Sequence, residues 1–264
     1  MEKIREIIGN YCEIFGFCSF DTIKDKLIDC RAKQRIPENA KTVITLLFPY
    51  YLGEDLYEKI NVSRYAAVSD YHTVANRYLS VICEKLKEEY PENSFAFFAD
   101  NSPVPEVFAA AKSGLGMIGK NGLFINEKYG SWVFLGEILT DLYIPVEDRE
   151  IKGCPDCGRC KEACPTGVLT EDKFNPDRCL SHITQKKGEI PEEYKKMMKN
   201  LGCAWGCDEC QKVCPYNKRA EKTTIKEFIH SFNPLVTKDT PVEGRAFEWR
   251  GEKVIKRNIE ILED

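Results

Sequence analysis

Hydrophobic and polar positions follow two alternating patterns over the first 150 or so residues. The opening residues 1–17 (MEKIREIIGNYCEIFGF) mix charged and apolar positions as an amphipathic helix does. A longer polar stretch at 70–90 (DYHTVANRYLSVICEKLKEEY) reads the same way. Between and after them lie dense runs of β-branched and aromatic residues, at 41–51 (KTVITLLFPYY), 94–100 (SFAFFAD) and 131–139 (SWVFLGEIL), which read as strands. A helix-like segment, PEVFAAAK at 105–112, leads into a glycine-rich turn region at 113–125 (SGLGMIGKNGLFI). The alternation predicts an α/β (α+β) domain built on a mixed sheet over residues 1–150.

Strand signals fade from about residue 152 to residue 218, where short segments run between CxxC turns. Such a stretch has little apolar core of its own and is expected to need inorganic staples, as in a bacterial ferredoxin-like domain over 151–220. The tail, 221–264, offers one amphipathic helix near 252–264 (EKVIKRNIEILED) and no further domain.

The 264 residues leave room for one large domain or two modest ones. With 30% charged and 43% hydrophobic residues the composition is that of a folded globular chain. Its apolar runs all stop well short of the roughly 18 residues of a membrane span. The N-terminus has neither the apolar stretch nor the small-residue cleavage site of a secretory signal, so a cytoplasmic protein without a membrane partner is expected. A formal charge of -4 gives no global basic field for nucleic acid. Lysines at 185–200 and 211–222 flank the second cysteine group but are diluted by glutamates, leaving a solvated face or a local basic surface as the two readings.

Cysteines change the picture most. Of 13, nine fall between Cys154 and Cys214. Cys154, Cys157, Cys160 and Cys164, followed by Pro165, have the spacing C-x2-C-x2-C-x3-C-P, in which three thiolates bind one [4Fe-4S] cube and the fourth reaches a second cube. Cys207, Cys210 and Cys214, followed by Pro215, repeat the last two spacings, with Ala204 where the first cysteine would stand. Cluster 1 would then take Cys154, Cys157, Cys160 and Cys214. Cluster 2 would take Cys164, Cys207, Cys210 and one further thiolate, Cys179 or Cys203. Structural zinc is the competing reading of CxxC pairs, but zinc gives no reason for two x3-C-P endings. Disulfides suit neither the compartment nor the spacing. Cys12, Cys18, Cys30 and Cys83 are scattered through helix-like and strand-like segments and read as small buried hydrophobes. Two adjacent cubes make a one-electron relay.

Within the first 150 residues, Asp100 ends an apolar run and precedes Asn101, Ser102 and Pro103. It reads either as a turn cap or as a general acid whose pKa is raised by burial so that it can donate near neutral pH. Gly114, Gly116 and Gly119 match G-x-G-x-x-G, but a helix-like segment precedes them instead of a strand, which argues against a dinucleotide site. Close backbone approach to a large ligand, with Lys120 on a polar group, stands beside tight turn packing. His72 reads as an ordinary surface or core histidine; with His182 and His230 it offers no metal-ligand spacing.

Taken together, these strings resemble the cobalamin-dependent epoxyqueuosine reductases, which complete queuosine synthesis in tRNA. The matching stretches are RYAAVSDYH, DNSPVPEVFAAAKSGLGMIGKNGLFI, GSWVFLGEILTDL, CGRCKEACPTGVL, RCLSHIT with GEIPEE, and GCDECQKVCPYN, in the family's order and covering roughly residues 31–217. The resemblance implies a corrinoid-binding α/β domain followed by a two-cluster domain, with base-off cobalamin between the clusters and the substrate. Asp100 matches the family's proton-donating aspartate, and Cys179 matches the cysteine that completes cluster 2. Gly119, Lys120, Asn121, Ser131, Trp132 and Gly136 match parts of the corrinoid pocket, with Arg35 as a further candidate. By that likeness, electrons pass from cluster 2 to cobalt, the reduced cobalt activates the epoxide, and Asp100 protonates the oxygen that leaves as water. The implied partners are a tRNA or modified nucleoside and a low-potential donor of the flavodoxin or ferredoxin type.

Two positions depart from the family's pattern: Val107, where arginine is usual, and Met117, where tryptophan is usual. The chain also stops near the helix at which longer members begin C-terminal helical repeats that help hold the anticodon stem. It is thus expected to be a short form, with tRNA recognition reduced, supplied by a partner or replaced. A corrinoid-dependent reductase of another small molecule, as in the reductive dehalogenases, and an electron-transfer protein without substrate chemistry are the alternative functions.

Overall fold

The computed structural model describes every residue except Asp172. The chain divides into two compact units. Unit 1 comprises Met1–Phe48, Tyr71–Glu127 and Val133–Pro155; unit 2 comprises Pro49–Asp70, Lys128–Trp132 and Asp156–Asp264.

Unit 1 is built on a four-stranded sheet of order β1-β2-β6-β3, from β1 (Phe15–Ser19), β2 (Thr42–Pro49), β3 (Phe95–Phe98) and β6 (Val133–Thr140). β1 pairs antiparallel with β2, and β3 pairs antiparallel with β6, setting Phe98 opposite Glu137. The amphipathic opening is shorter than its sequence suggests: α1 covers Glu2–Gly9, and Phe15–Ser19 leave the helix to form the edge strand. Strand pairing decides this, because Phe17 and Cys18 gain burial in the sheet that a lone helical turn could not give them.

Side-chain alternation divides the sheet faces between two helices. Phe48 and Gly136 face α2 (Tyr71–Glu89), and a Cβ on Gly136 would lie 2.9 Å from Leu79 Cδ1 and 3.0 Å from Phe48 Cε2. Glycine at 136 therefore lets α2 lie close against the strand. On the other face Val43, Leu47, Leu135 and Leu139 pack with Ala109 and Ala110 of α3 (Glu106–Lys112). By the two-residue period of a strand, Glu137 falls on this α3 face between Leu135 and Leu139. The glycine-rich turn region forms a small hairpin, β4 (Met117–Ile118) with β5 (Phe124–Ile125).

Unit 2 holds helices α4 (Arg159–Glu162), α5 (Leu180–Gln185), α6 (Glu192–Leu201), α7 (Glu209–Lys212), α8 (Lys226–His230) and α9 (Glu252–Glu263). Contrary to the expectation of a cysteine-rich stretch with little core, this unit has one. Residues outside the cysteine run supply it: Val62, Ala66, Val236, Phe247, Val254 and Ile259 enclose Trp205. Burying side chains of this size stabilises by about 1.5–3 kcal/mol each. The tail helix is part of that core, since Asn258 on α9 is fully buried and donates to Thr184 O at 2.7 Å and Ala204 O at 2.6 Å. Those bonds tie α9 to the end of α5 and to the segment that follows α6. Among the described residues no helix is long and apolar enough to cross a membrane.

Candidate active site and cluster-binding region

Asp100 follows β3 on a turn in which both it and Asn101 adopt positive φ, 51° and 40°. Residues other than glycine are uncommon there, so the surrounding bonds must hold the turn. They are specific. His72, from the first turn of α2, meets Asp100 with Nε2 3.0 Å from Oδ2, and the Asp100 N–H donates to Glu106 Oε1 at 2.9 Å. Tyr71 also hydrogen-bonds the Asp100 carboxylate.

The electrostatics reverse the sequence-based expectation for Asp100. The hydrogen bond from His72, helped by the Asn101 backbone and Tyr71 and only partly opposed by burial, holds its carboxyl down to about 2. At neutral pH Asp100 is ionised, so His72 Nε2 carries the proton of the pair. Glu106 moves the other way: burial, then the charge of Asp100, raises it to about 7. Glu137 is fully buried, and burial, then Glu106 and Asp100, raises it well above the usual carboxylate range. Neither of its carboxylate oxygens has a hydrogen-bond partner within the protein.

Asp100 and Glu106 line an open cavity of about 950 Å³ in unit 1, with Cys30, Arg31, Arg35 and Val107 around them. That volume suits a nucleoside-sized ligand. Arg35 crosses the end of β3, donating to Phe97 O at 2.6 Å and lying 4.8 Å over the Phe98 ring. Two arginines and two carboxyls of opposed protonation therefore meet at one mouth, a layout suited to binding a polar ligand and moving protons to it.

In unit 2 the cysteines from Cys157 to Cys164 and from Cys207 to Cys214 form similar turns; Cys154 falls at the end of unit 1. Each turn puts a one-turn helix behind its second cysteine, α4 with Cys160 and α7 with Cys210, and these two helices touch. Backbone and Thr166 hydrogen bonds to Cys164 Sγ outweigh the effect of burial and lower its pKa, as suits a thiolate ligand. Cys203 differs. Its Sγ donates to Trp205 O at 3.4 Å and lies 3.6 Å from Gly206 O; burial raises this thiol and that of Cys207 alike. No disulfide joins any cysteine among the described residues, and no three His, Cys, Asp or Glu side chains converge as a single ion would need. A cube instead takes one thiolate at each of its separate iron corners.

Comparison with known proteins places this arrangement. The family model of epoxyqueuosine reductase QueG matches residues 31–101, and that of the 4Fe-4S double cluster binding domain matches residues 153–217. The chain is 35% identical over 254 residues to an epoxyqueuosine reductase of Lactococcus garvieae, covering 89% of this chain and 72% of that one. It belongs to the epoxyqueuosine reductase family. Its fold agrees with the solved epoxyqueuosine reductase of Streptococcus thermophilus at a TM-score of 0.79 and 28% identity, covering 99% of this chain and 79% of that one. The Bacillus subtilis enzyme, solved with an aspartate-bearing catalytic loop swung out of its active site, matches at a TM-score of 0.79 and 25% identity over 99% of this chain and 80% of that one.

Within this reductase-family chain the site residues expected from sequence divide into groups. Asp100 and Arg35 come together at the cavity. Gly119, Lys120 and Asn121 lie on the β4–β5 hairpin and are not among the cavity-lining residues. The hairpin requires glycine at 116, since a Cβ there would strike the Ile125 carbonyl oxygen, whereas one on Gly119 would meet first the side-chain oxygen of Asn121, at 2.5 Å. Tight turn packing thus accounts for Gly116. Ser131 and Trp132 belong to unit 2. Ser131 is buried, its N–H donating to Asn217 Oδ1 at 2.7 Å and its hydroxyl to Gln211 Oε1 at 2.8 Å. Trp132 is fully buried, stacked on Tyr51 with the Arg64 guanidinium 4.6 Å from its ring. Gly136 serves helix packing, as described above. His72, Glu106 and Glu137 are the site residues that sequence reasoning missed. The one available signal was Glu137, a lone acid inside the strand VFLGEILT.

Proposed function

We propose that this protein is a cobalamin-dependent reductase that removes the epoxide oxygen of epoxyqueuosine in tRNA, using electrons delivered through two [4Fe-4S] clusters. The observation that carries the reading is the His72–Asp100 pair at the mouth of a nucleoside-sized cavity, in a chain that also holds the double cluster run. In this reading residues 1–150 serve cofactor and substrate, 151–220 hold the clusters, and 221–264 complete the core of the cluster-bearing unit.

Family membership brings cobalamin, and on the β4–β5 hairpin, outside the cavity that Arg35 lines, Lys120 and Asn121 offer polar groups for the amide side chains of a corrinoid. When bound, the corrinoid supplies the low-potential reducing centre for the epoxide. The protein's own part is to seat the substrate between Arg31 and Arg35 and to deliver protons. Asp100 is the final carrier. Ionised at rest, it gains a proton when negative charge develops on the substrate oxygen, because a nearby negative charge raises its pKa. It then passes that proton on to the departing oxygen. The loop-borne catalytic aspartate of the Bacillus subtilis relative supports this assignment.

Anaerobic reconstitution with iron, sulfide and cobalamin, followed by paramagnetic resonance, tests the cofactor claim. One bound base-off Co(II) per chain is expected. Cluster signals with no retained cobalt would instead leave an electron-transfer protein.

For the electron donor we assign the basic cavity beside the two cluster helices. Arg159, Lys212 and Lys218 line it together with Glu162, in a volume of about 580 Å³. A net positive mouth there suits an acidic flavodoxin or ferredoxin, whose approach the field would steer. Lys218→Glu should raise the KM for such a donor several-fold at low salt, measured by stopped-flow reduction. An unchanged KM would place the donor elsewhere.

A further inference from the structure

The overall reaction sets a requirement that one aspartate does not meet. Converting an epoxide to an alkene breaks two C–O bonds, forms the second C–C bond, and releases water; it consumes two electrons and two protons. The clusters pass the electrons one at a time. Asp100 carries one proton at a time and is ionised at rest, so both protons must reach it from elsewhere, from solvent or from neighbouring groups.

We propose that Glu137 and Glu106 form the proton store of this site, holding protons behind the cavity and handing them to the His72–Asp100 pair. The inference rests on the epoxide-reductase reading for what consumes the protons, and on geometry for where they sit. Glu106 lines the cavity and touches Asp100 directly, through the 2.9 Å bond from the Asp100 N–H. Glu137 lies deeper on the α3 face of β6, fully buried, with both oxygens unpartnered. An isolated carboxylate is too costly to bury, so it binds a proton instead.

The neighbourhood reinforces this. From α2 come Tyr71 and His72; from the turn after β3, Asp100; from β1, Cys18; from the 3-10 segment Arg31–Arg35, its two terminal arginines, with Cys30 beside them at the cavity. Val107, next to Glu106, brings no charge. The three carboxyls repel one another, so at neutral pH the set keeps protons that isolated carboxyls would have lost. Each turnover draws one proton through Asp100, then a second. Solvent at the cavity mouth refills Glu106, and Glu106 refills Glu137.

Two measurements test the store. Infrared spectra of the protein at pH 8, without substrate, should show a protonated-carboxyl stretch that disappears in Glu137→Gln. Absence of the band, or its persistence in that variant, would overturn the proposal whatever the substrate is. In single turnover the wild-type rate should fall as pH rises through about 7, where Glu106 gives up its proton. Glu106→Gln should lose that limb and run roughly tenfold slower at pH 6. A Glu106→Gln profile that keeps the limb would overturn the relay. Failure of the substrate reading is separable, because it would show in the wild type as no epoxide product at any pH while the infrared band still decides the store.

Discussion

Asp100→Asn should lose epoxide reduction by about 10²–10⁴-fold, the range a positioned proton donor supplies. Reduction of bound cobalt by the clusters should continue at nearly the wild-type rate. Asparagine keeps the size of the side chain and accepts from His72, so the turn at 100–101 has the means to stay in place. It cannot carry a proton. The pair of readouts matters because a merely structural Asp100, capping the turn, would lower both rates together as the site loosened. The measurement is product formation against the cobalt absorbance change in the same anaerobic single turnover. Because the His72 bond holds Asp100 down to about 2, no loss of rate between pH 5 and 8 should trace to Asp100 itself. Falling activity above neutrality belongs to Glu106, which sheds its proton near 7.

Cys179→Ser should lower the iron bound from about eight per chain toward about four, since a cube lacking one thiolate is weakly held. Cys203→Ser should leave it near eight. The difference follows from what each sulfur already does. Cys203 Sγ already donates to the Trp205 carbonyl and lies close to the Gly206 carbonyl. Cys179 stands at the N-cap of α5 with extended backbone, and its Sγ makes no such bond among the described residues. Iron and sulfide analysis of both variants decides between them. Full loading in Cys179→Ser with loss in Cys203→Ser would exchange their roles.

Much of the fold was legible because period and composition carry it. Strand runs at 41–51, 94–100 and 131–139 became β2, β3 and β6, and the polar stretch 70–90 became α2. The first strand was hidden, because Phe15–Ser19 follows an amphipathic opening and its partner β2 lies 27 residues or so further on. The core of the cluster-bearing unit was also hidden. Its apolar residues come from segments far apart in sequence, around Ala66, Trp205 and Phe247, so no local window shows it.

The candidate site was legible only in part. Cysteine spacing is fixed by the cube and is read directly from the chain, whereas the protonation of Asp100 depends on neighbours that meet it only after folding. His72 lies 28 residues away and Glu137 37 residues beyond, and the sheet brings them near Asp100. Burial alone suggested a raised pKa for Asp100; the histidine bond outweighed it. The glycine string carries two readings for a related reason, since hairpin packing and close approach to a ligand impose the same residue.

The central claim is cobalamin-dependent removal of the epoxide oxygen, and mass analysis of the nucleoside tests it most directly. Reconstituted protein with a low-potential reductant would be incubated with an epoxyqueuosine-bearing tRNA stem-loop, and separately with the free nucleoside, with and without cobalamin. The account predicts conversion to a product lighter by one oxygen only when cobalamin is present. No conversion of either substrate, or equal conversion without cobalamin, would contradict it.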